Sequence, residues 1–353
     1  MDIFLNIILL ILGMAFLIKG ADFFVEGSSN IARALKIPSL IIGLTLVSIG
    51  TSAPELSVSV TSAINGLNEL SFSNVIGSNV FNVLIVLGLS ASISPLLVDK
   101  EVYKFDLPIY FGICVILLLF ALLGLSDGYQ LTLWESIIIF ALFFIYMAFL
   151  VIRGLISSKK TSNEEKEENK EEVIEENINI EEEKKGSNTF INKVKRLWHN
   201  KPWWLNVIIL VVGLLGIIFG GQFVVDSASF LAKSFGMSDA LVGLTIVSVG
   251  TSLPELITSL VAARKKENDI AVGNAIGSCI FNIVLILGLS STIHPMTIMF
   301  DSIVDICVML VSCVFIFICA IKWKKIGRIQ GILLVLMYVG YLTYIITRHY
   351  LEI

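Results

Sequence analysis

The sequence predicts an all-α membrane protein: ten transmembrane helices in two inverted five-helix repeats. Three observations predict it. Hydrophobic residues make up 56% of the 353-residue chain and charged residues only 15%, a balance too apolar for an ordinary soluble domain. Apolar runs of the length needed to cross a bilayer, about 20 residues as helix, recur throughout. Residues 43–90 recur at 243–290, offset by 200 without a gap, with 24 of 48 positions identical; a chain that repeats itself in this way is built from two like units.

Taken in order, the first unit offers spans at roughly 3–31, 39–64, 71–92, 105–125 and 131–152. The second offers roughly 204–232, 240–263, 269–292, 301–321 and 327–347. The short alternating strands of a membrane barrel are absent from the pattern. The N-terminus, MDIFLN, has an acid and no basic n-region, and its run has a counterpart near residue 203. It is expected to be the first span and not a cleavable leader. Similarity beyond the block (Gly20, Phe23, Val25, Ser29 and Ala32 with Gly220, Phe223, Val225, Ser229 and Ala232; Pro95 with Pro295) extends each repeat to about 153 residues. The domains are therefore 1–153, a linker 154–200, and 201–353.

The linker carries SNEEKEENKEEVIEENINIEEEKKG. Such a charged, aromatic-poor stretch buries too little surface to fold alone, so a solvated connector without fixed structure is expected. Residues 190–198 (FINKVKRLW) form an amphipathic pattern that suits a membrane surface. Cys114, Cys279, Cys307, Cys313 and Cys319 all lie in apolar runs without a metal spacing, and are expected to be small core hydrophobes.

Basic residues set the sidedness. With the N-terminus outside, Arg33, Lys36, Lys100, Lys104, Arg153, the linker cations, Arg264, Lys265, Lys266, Lys322, Lys324, Lys325 and Arg328 all face the cytoplasm, as the positive-inside rule requires. Both termini are then extracytoplasmic and the linker cytoplasmic, with the protein in the cell membrane. Five spans is an odd number, so the second repeat enters from the opposite side, the inverted arrangement used by secondary transporters.

Each block begins with G-T-S-x-P-E: Gly50, Thr51, Ser52, Pro54, Glu55, and Gly250, Thr251, Ser252, Pro254, Glu255. Proline removes a backbone donor and glycine loosens the chain just upstream, so helices two and seven should break near mid-membrane. A break frees carbonyls, expected around Ser48 and Ser248, to face a cavity or ion. Each block continues N-x-x-G-S-x-x-x-N: Asn74, Gly77, Ser78, Asn82, and Asn274, Gly277, Ser278, Asn282. A single membrane Ser, Thr or Asn can bond a carbonyl or join helices. A glutamate at mid-span is different, and two at equivalent positions, each beside a helix breaker, point to a functional site. The inventory is carboxylate, hydroxyl, amide and carbonyl oxygen, the ligands of hard cations such as Ca2+, with Na+ also accepted. No His or Cys set suggests zinc or copper. Asp22 and Glu26 align with Gln222 and Asp226, and are expected to be interfacial or to line an entrance; Lys19 stands three residues from Asp22 and can pair with it.

At these two blocks the chain resembles the cation/calcium antiporter superfamily, and within it the prokaryotic sodium/calcium exchangers. The resemblance covers both repeats. It implies ten helices, alternating access by sliding of helices one and six, and ion ligands from helices two, three, seven and eight: Thr51, Ser52, Glu55, Ser78 and Asn82 with Thr251, Ser252, Glu255, Ser278 and Asn282. It further implies that Glu55 and Glu255 are shared by Ca2+ and Na+. Some relatives carry Asp where this chain has Asn282; with amides at both Asn82 and Asn282, potassium co-transport is not expected, and Cys279, opposite Asn79, is expected outside the ligand shell.

The expected function is antiport of Ca2+ against Na+, as electrogenic calcium export. The alternatives are a proton/calcium antiporter using the same glutamates, and a passive cation channel, although channels usually build filters from symmetric subunits. No enzyme motif is present. No cofactor and no nucleic-acid partner are expected; the partners are the transported ions Ca2+ and Na+ and the lipid bilayer, and a monomer is compatible with a site built within one chain.

Overall fold

The computed structural model describes residues 3–123, 130–179, 203–236, 248–298 and 300–351. The protein is mostly helical, in the order α1 (Ile3–Leu35), α2 (Ser39–Thr51), α3 (Ala53–Ile64), α4 (Asn68–Ile93), α5 (Val102–Leu122), α6 (Leu133–Asn179), α7 (Trp203–Ser234), α8 (Ser248–Thr251), α9 (Leu253–Arg264), α10 (Asn268–Ile293), α11 (Phe300–Trp323) and α12 (Arg328–Leu351). Among the described residues eight helices are long and apolar enough to cross a membrane, and α2 with α3 makes a ninth, bent by 49°. The span expected at 240–263 is described only from Ser248, as α8 and α9; Gly243 lies outside the described residues.

The break in helix two falls at Ser52 (φ −81°, ψ 9°), between Gly50 and Pro54. Its counterpart falls at Ser252 (φ −91°, ψ 6°), between Gly250 and Pro254. Both prolines sit in the first turn of the helix that follows, where a missing N–H costs nothing. The chain also widens into π-helical turns at Gly43–Val47, Asn82–Val86 and Asn282–Leu287. The last two begin at the two asparagines singled out above, and turns of this kind cluster at functional sites.

Helices α4 and α10 form the centre: 78% and 94% of their apolar stretches are buried in the protein, against 11–39% for the other unbroken spans. Residues such as Phe4, Trp134 and Ile329 on the outer helices are largely exposed, as a surface facing hydrocarbon allows. Helix α1 lies along α7 with their backbones nearly touching. A Cβ added at Gly20 would stand 2.8 Å from the Gly213 carbonyl oxygen, and one at Gly13 2.9 Å from that of Gly220.

Two short strand pairs cross between the halves of the chain. Strand β1 (Leu96–Leu97) pairs antiparallel with β4 (Lys325–Ile326), and β2 (Gln130–Leu131) with β3 (Met296–Thr297). Each pair therefore holds two loops at one membrane face.

The linker boundary at residue 154 is not marked by a break. Helix α6 runs on through the charged stretch to Asn179, a Glu- and Lys-rich sequence of strong helix formers. The rest of the linker, with the amphipathic pattern at 190–198, lies outside the described residues. Four of the cysteines are buried as expected, but Cys307 is exposed on α11. The pairing of Arg153 with Asp106 was not anticipated: Arg153 Nη1 on α6 meets the fully buried Asp106 Oδ1 on α5 at 2.8 Å, its guanidinium lying over Phe105 and Phe149. The pair ties α5 to α6.

Candidate functional site

Glu55 and Glu255 occupy the first turns of α3 and α9, just after the two breaks, and neither has exposed surface. The positive end of a helix dipole favours a carboxylate there. Each glutamate is held by the serine of the other block: Ser52 Oγ donates to Glu255 Oε1 at 2.8 Å, and Ser252 Oγ to Glu55 Oε1 at 2.9 Å. The two breaks thus meet, and the motif is completed only across the halves of the chain. Ser252 Oγ also lies 3.0 Å from Ser78 Oγ.

The second oxygen of each carboxylate, Glu55 Oε2 and Glu255 Oε2, is buried without a hydrogen-bond partner. So are Ser278 Oγ, Asn282 Oδ1 and both amide atoms of Asn82. No Lys or Arg pairs with either glutamate among the described residues. Buried polar groups are normally satisfied, and an uncompensated buried charge costs several kcal/mol. Two such carboxylates beside unpaired hydroxyl and amide oxygens have the donor chemistry of a site for a hard cation. Among the described residues no group of three or more His, Cys, Asp or Glu converges, so the charge available is that of the two glutamates.

Thr51 stands beside the site. Its hydroxyl donates to Asn274 Oδ1 at 3.0 Å, or back to the carbonyls of Val47 and Ser48 at 3.1 and 3.3 Å. The Ser48 carbonyl is not left free as expected: it accepts the Ser52 N–H at 3.0 Å. The Ser48 hydroxyl donates to the Gly43 carbonyl at 2.7 Å, or across to the Asn274 or Gly273 carbonyl at 3.1 or 3.3 Å, where α2 meets α10. In the second block the Ser252 N–H reaches the Val249 carbonyl at 3.2 Å. The Ser248 side chain lies outside the described residues. The carbonyl that Pro54 cannot serve is that of Gly50, four residues back.

A cavity of about 380 Å³ reaches the second break. It is lined by Pro54 and Ser57 of α3, Gln222 and Asp226 of α7, and Thr251 and Pro254 at the second break. The equivalent contact of α1 with α9 is instead closed by bonds: Lys265 Nζ meets Asp22 Oδ1 at 3.3 Å and its carbonyl at 2.7 Å, and Ser29 Oγ meets Glu267 Oε1 at 2.7 Å. Lys19, the expected partner of Asp22, is farther, at 3.8 Å.

Several supporting residues escaped the sequence reading. Asn74 Nδ2 donates to Ser59 Oγ and Asn274 Nδ2 to Ser259 Oγ, each at 2.9 Å. The signal was present: Ser59 and Ser259 are identical positions of the block, four residues after the glutamates. Asn79, whose equivalent is Cys279, bonds Asn282 and carried no such signal.

A family model described as "Sodium/calcium exchanger protein" matches residues 5–152 and 205–347. The chain is 34% identical to a putative antiporter, CaxA, of Alkalimonas amylolytica, over 95% of this chain and 96% of that one. It is 33% identical to the sodium/calcium exchanger MaX1 of Methanosarcina acetivorans, over 96% and 97%. Among solved structures it is similar to the sodium-calcium exchanger NCX_Mj from crystals soaked with Na+ and Ca2+, with a TM-score of 0.76, 30% identity, and 96% of this chain and 98% of that one covered.

Proposed function

The chain belongs to the sodium/calcium exchanger family, and we propose that it exports Ca2+ by antiport against Na+ entering the cell. It is a multi-pass membrane transporter of the cation/Ca2+ antiporter kind, with ions as its substrates. The finer reading rests on one observation: Glu55 and Glu255 are each held at one oxygen by the opposite block's serine, while the other oxygen has no partner.

In this reading Ca2+ binds between Glu55 and Glu255, whose two charges match its own. Ser52, Ser78, Asn82, Thr51, Thr251, Ser252, Ser278 and Asn282 supply or position neutral oxygens, and the carbonyls at Ser48 and Ser248 belong to the same breaks. Calcium accepts six to eight oxygens in adaptable geometry, which such a mixed set can offer. Sodium competes for the same carboxylates, so the two ions exclude each other, and exclusion at a shared site is what makes transport an exchange. Soaking of NCX_Mj crystals with Na+, Ca2+ and Sr2+ supports a hard-cation site in the family.

The ten-helix, inverted-repeat architecture belongs to the proposal, as do the assignments 1–153, 154–200 and 201–353. The strand pairs support it: with the N-terminus outside, the loops joined by β1 and β4 both fall inside, and those joined by β2 and β3 both fall outside. The termini are then extracytoplasmic and the linker cytoplasmic. Helices α1 and α7, in glycine-mediated contact, slide over α4 and α10 to open the site to each side in turn. Two fixed negative charges are balanced by one Ca2+ or two Na+, and exchange of one Ca2+ for more than two Na+ would move net charge; we place the exchanger in that electrogenic class.

The test is Ca2+ uptake into inverted vesicles under an imposed Na+ gradient or an imposed pH gradient. Uptake driven by Na+, and altered by membrane potential, is expected. Uptake driven only by the pH gradient overturns Na+ coupling in favour of protons, and large unitary currents in a bilayer overturn antiport.

A further inference from the structure

We propose that Asn79 is a positioning residue that turns the Asn282 amide so that its oxygen, not its nitrogen, faces the transported cation. The inference rests on the reading that Asn282 supplies that oxygen. At an offset of 200, Asn79 and Cys279 are equivalent positions, and they touch: Asn79 Nδ2 donates to the Cys279 carbonyl at 3.1 Å, and Cys279 Sγ lies 3.7 Å from the Asn79 carbonyl. The two blocks therefore meet at this point, and a bond from one block to the other here ought to have a twin.

It has none. Asn79 Oδ1 accepts from Asn282 Nδ2 at 3.0 Å. The twin would join residue 279 to Asn82, but residue 279 is a cysteine, and neither amide atom of Asn82 has a partner. A thiol is a weak acceptor and cannot stand in for a carboxamide oxygen.

The consequence follows from amide geometry. Asn79 is itself oriented, because its Nδ2 faces the Cys279 carbonyl and the Met309 sulfur at 3.5 Å. Its oxygen must then point to Asn282. Flipping the Asn282 amide would set oxygen against oxygen, so the bond selects the orientation in which Asn282 Oδ1 is turned away from Asn79. That oxygen is buried and unpartnered, the state of a ligand held ready for a cation. Asn82 lacks such a selector, so the two halves of the site are chemically unequal: one amide arrives oriented and the other must be oriented by the ion itself.

The test measures the apparent KM for Ca2+ and kcat of gradient-driven uptake by purified, reconstituted protein. Asn79→Ala is expected to raise KM about three- to tenfold, the loss of one buried hydrogen bond, with kcat largely kept. In an Asn282→Ala background the same change should add nothing, whereas with Asn82→Ala its effect should multiply. A full N79A effect persisting in N282A overturns the positioning role. A wild-type KM for N282A alone sinks the ligand reading instead, so the two failures are distinguishable. Should N79A not insert, Cys279→Asn supplies the missing partner to Asn82 and is expected to lower KM about threefold by pre-orienting that amide; an unchanged or raised KM overturns the proposal.

Discussion

At the scale of single residues, the chemistry concentrates on Glu55 and Glu255. Each has one oxygen fixed by a serine from the other block and one without a partner. Replacing either by Gln keeps the shape and removes half the charge that faces a divalent ion. Breaking a buried charge pairing by removing one partner costs about 3 kcal/mol or more, hence about 100-fold. Glu55→Gln and Glu255→Gln are each expected to lower Ca2+ transport by roughly that factor while the protein still inserts; near-normal exchange by both refutes the site. These two residues were legible without a structure because a carboxylate in an apolar run has a cost that only function repays. Ser52 and Ser252 were legible as motif members, but their crossed pairing was not, since it depends on how the two breaks face one another. Asn79 was not legible at all. A membrane asparagine usually joins helices, and only its contact with Asn282 assigns it a different task.

At the scale of elements, the breaks at Ser52 and Ser252 fell where glycine and proline predicted them, because backbone chemistry acts locally. The π-helical turns at Asn82 and Asn282 did not announce themselves, because no residue type demands them. The Arg153–Asp106 pair escaped for a related reason: each residue sits near the end of an apolar run, where charge is ordinary, and only packing reveals the partner. The α1–α7 contact follows from glycine. With backbones this close, even a methyl group at Gly20 would stand 2.8 Å from the Gly213 carbonyl oxygen and force the helices apart. Overpacking of that kind costs about 1–3 kcal/mol. Gly20→Ala is therefore expected to lower the thermal midpoint of the purified protein and to slow turnover, since α1 and α7 move together in the proposed cycle. An unchanged midpoint and turnover number would show that the two helices separate without penalty.

At the scale of the whole molecule, the two halves are alike in sequence but not in posture. On one side α7 leaves a cavity against α3 that reaches Thr251 and Pro254. On the other, α1 is bonded to the end of α9 and the residues after it through Asp22–Lys265 and Ser29–Glu267. At the 200-residue offset the counterparts of Asp22, Lys265 and Glu267 are Gln222, Asn65 and Leu67, which cannot form an ion pair. The latch therefore belongs to one side only, and under the proposed topology that side is cytoplasmic. A partly exposed ion pair contributes up to about 1 kcal/mol, a factor of about five in the balance of two states. The apparent affinity of a side scales with the population open to it. Asp22→Asn is thus expected to lower the KM for Ca2+ at the cytoplasmic face up to about fivefold in inverted vesicles, and to raise it at the outer face in right-side-out vesicles. Lys265→Gln should do the same, and the double variant no more than either alone. Equal changes on both faces would mean that the pair tunes the site and not the direction in which it opens.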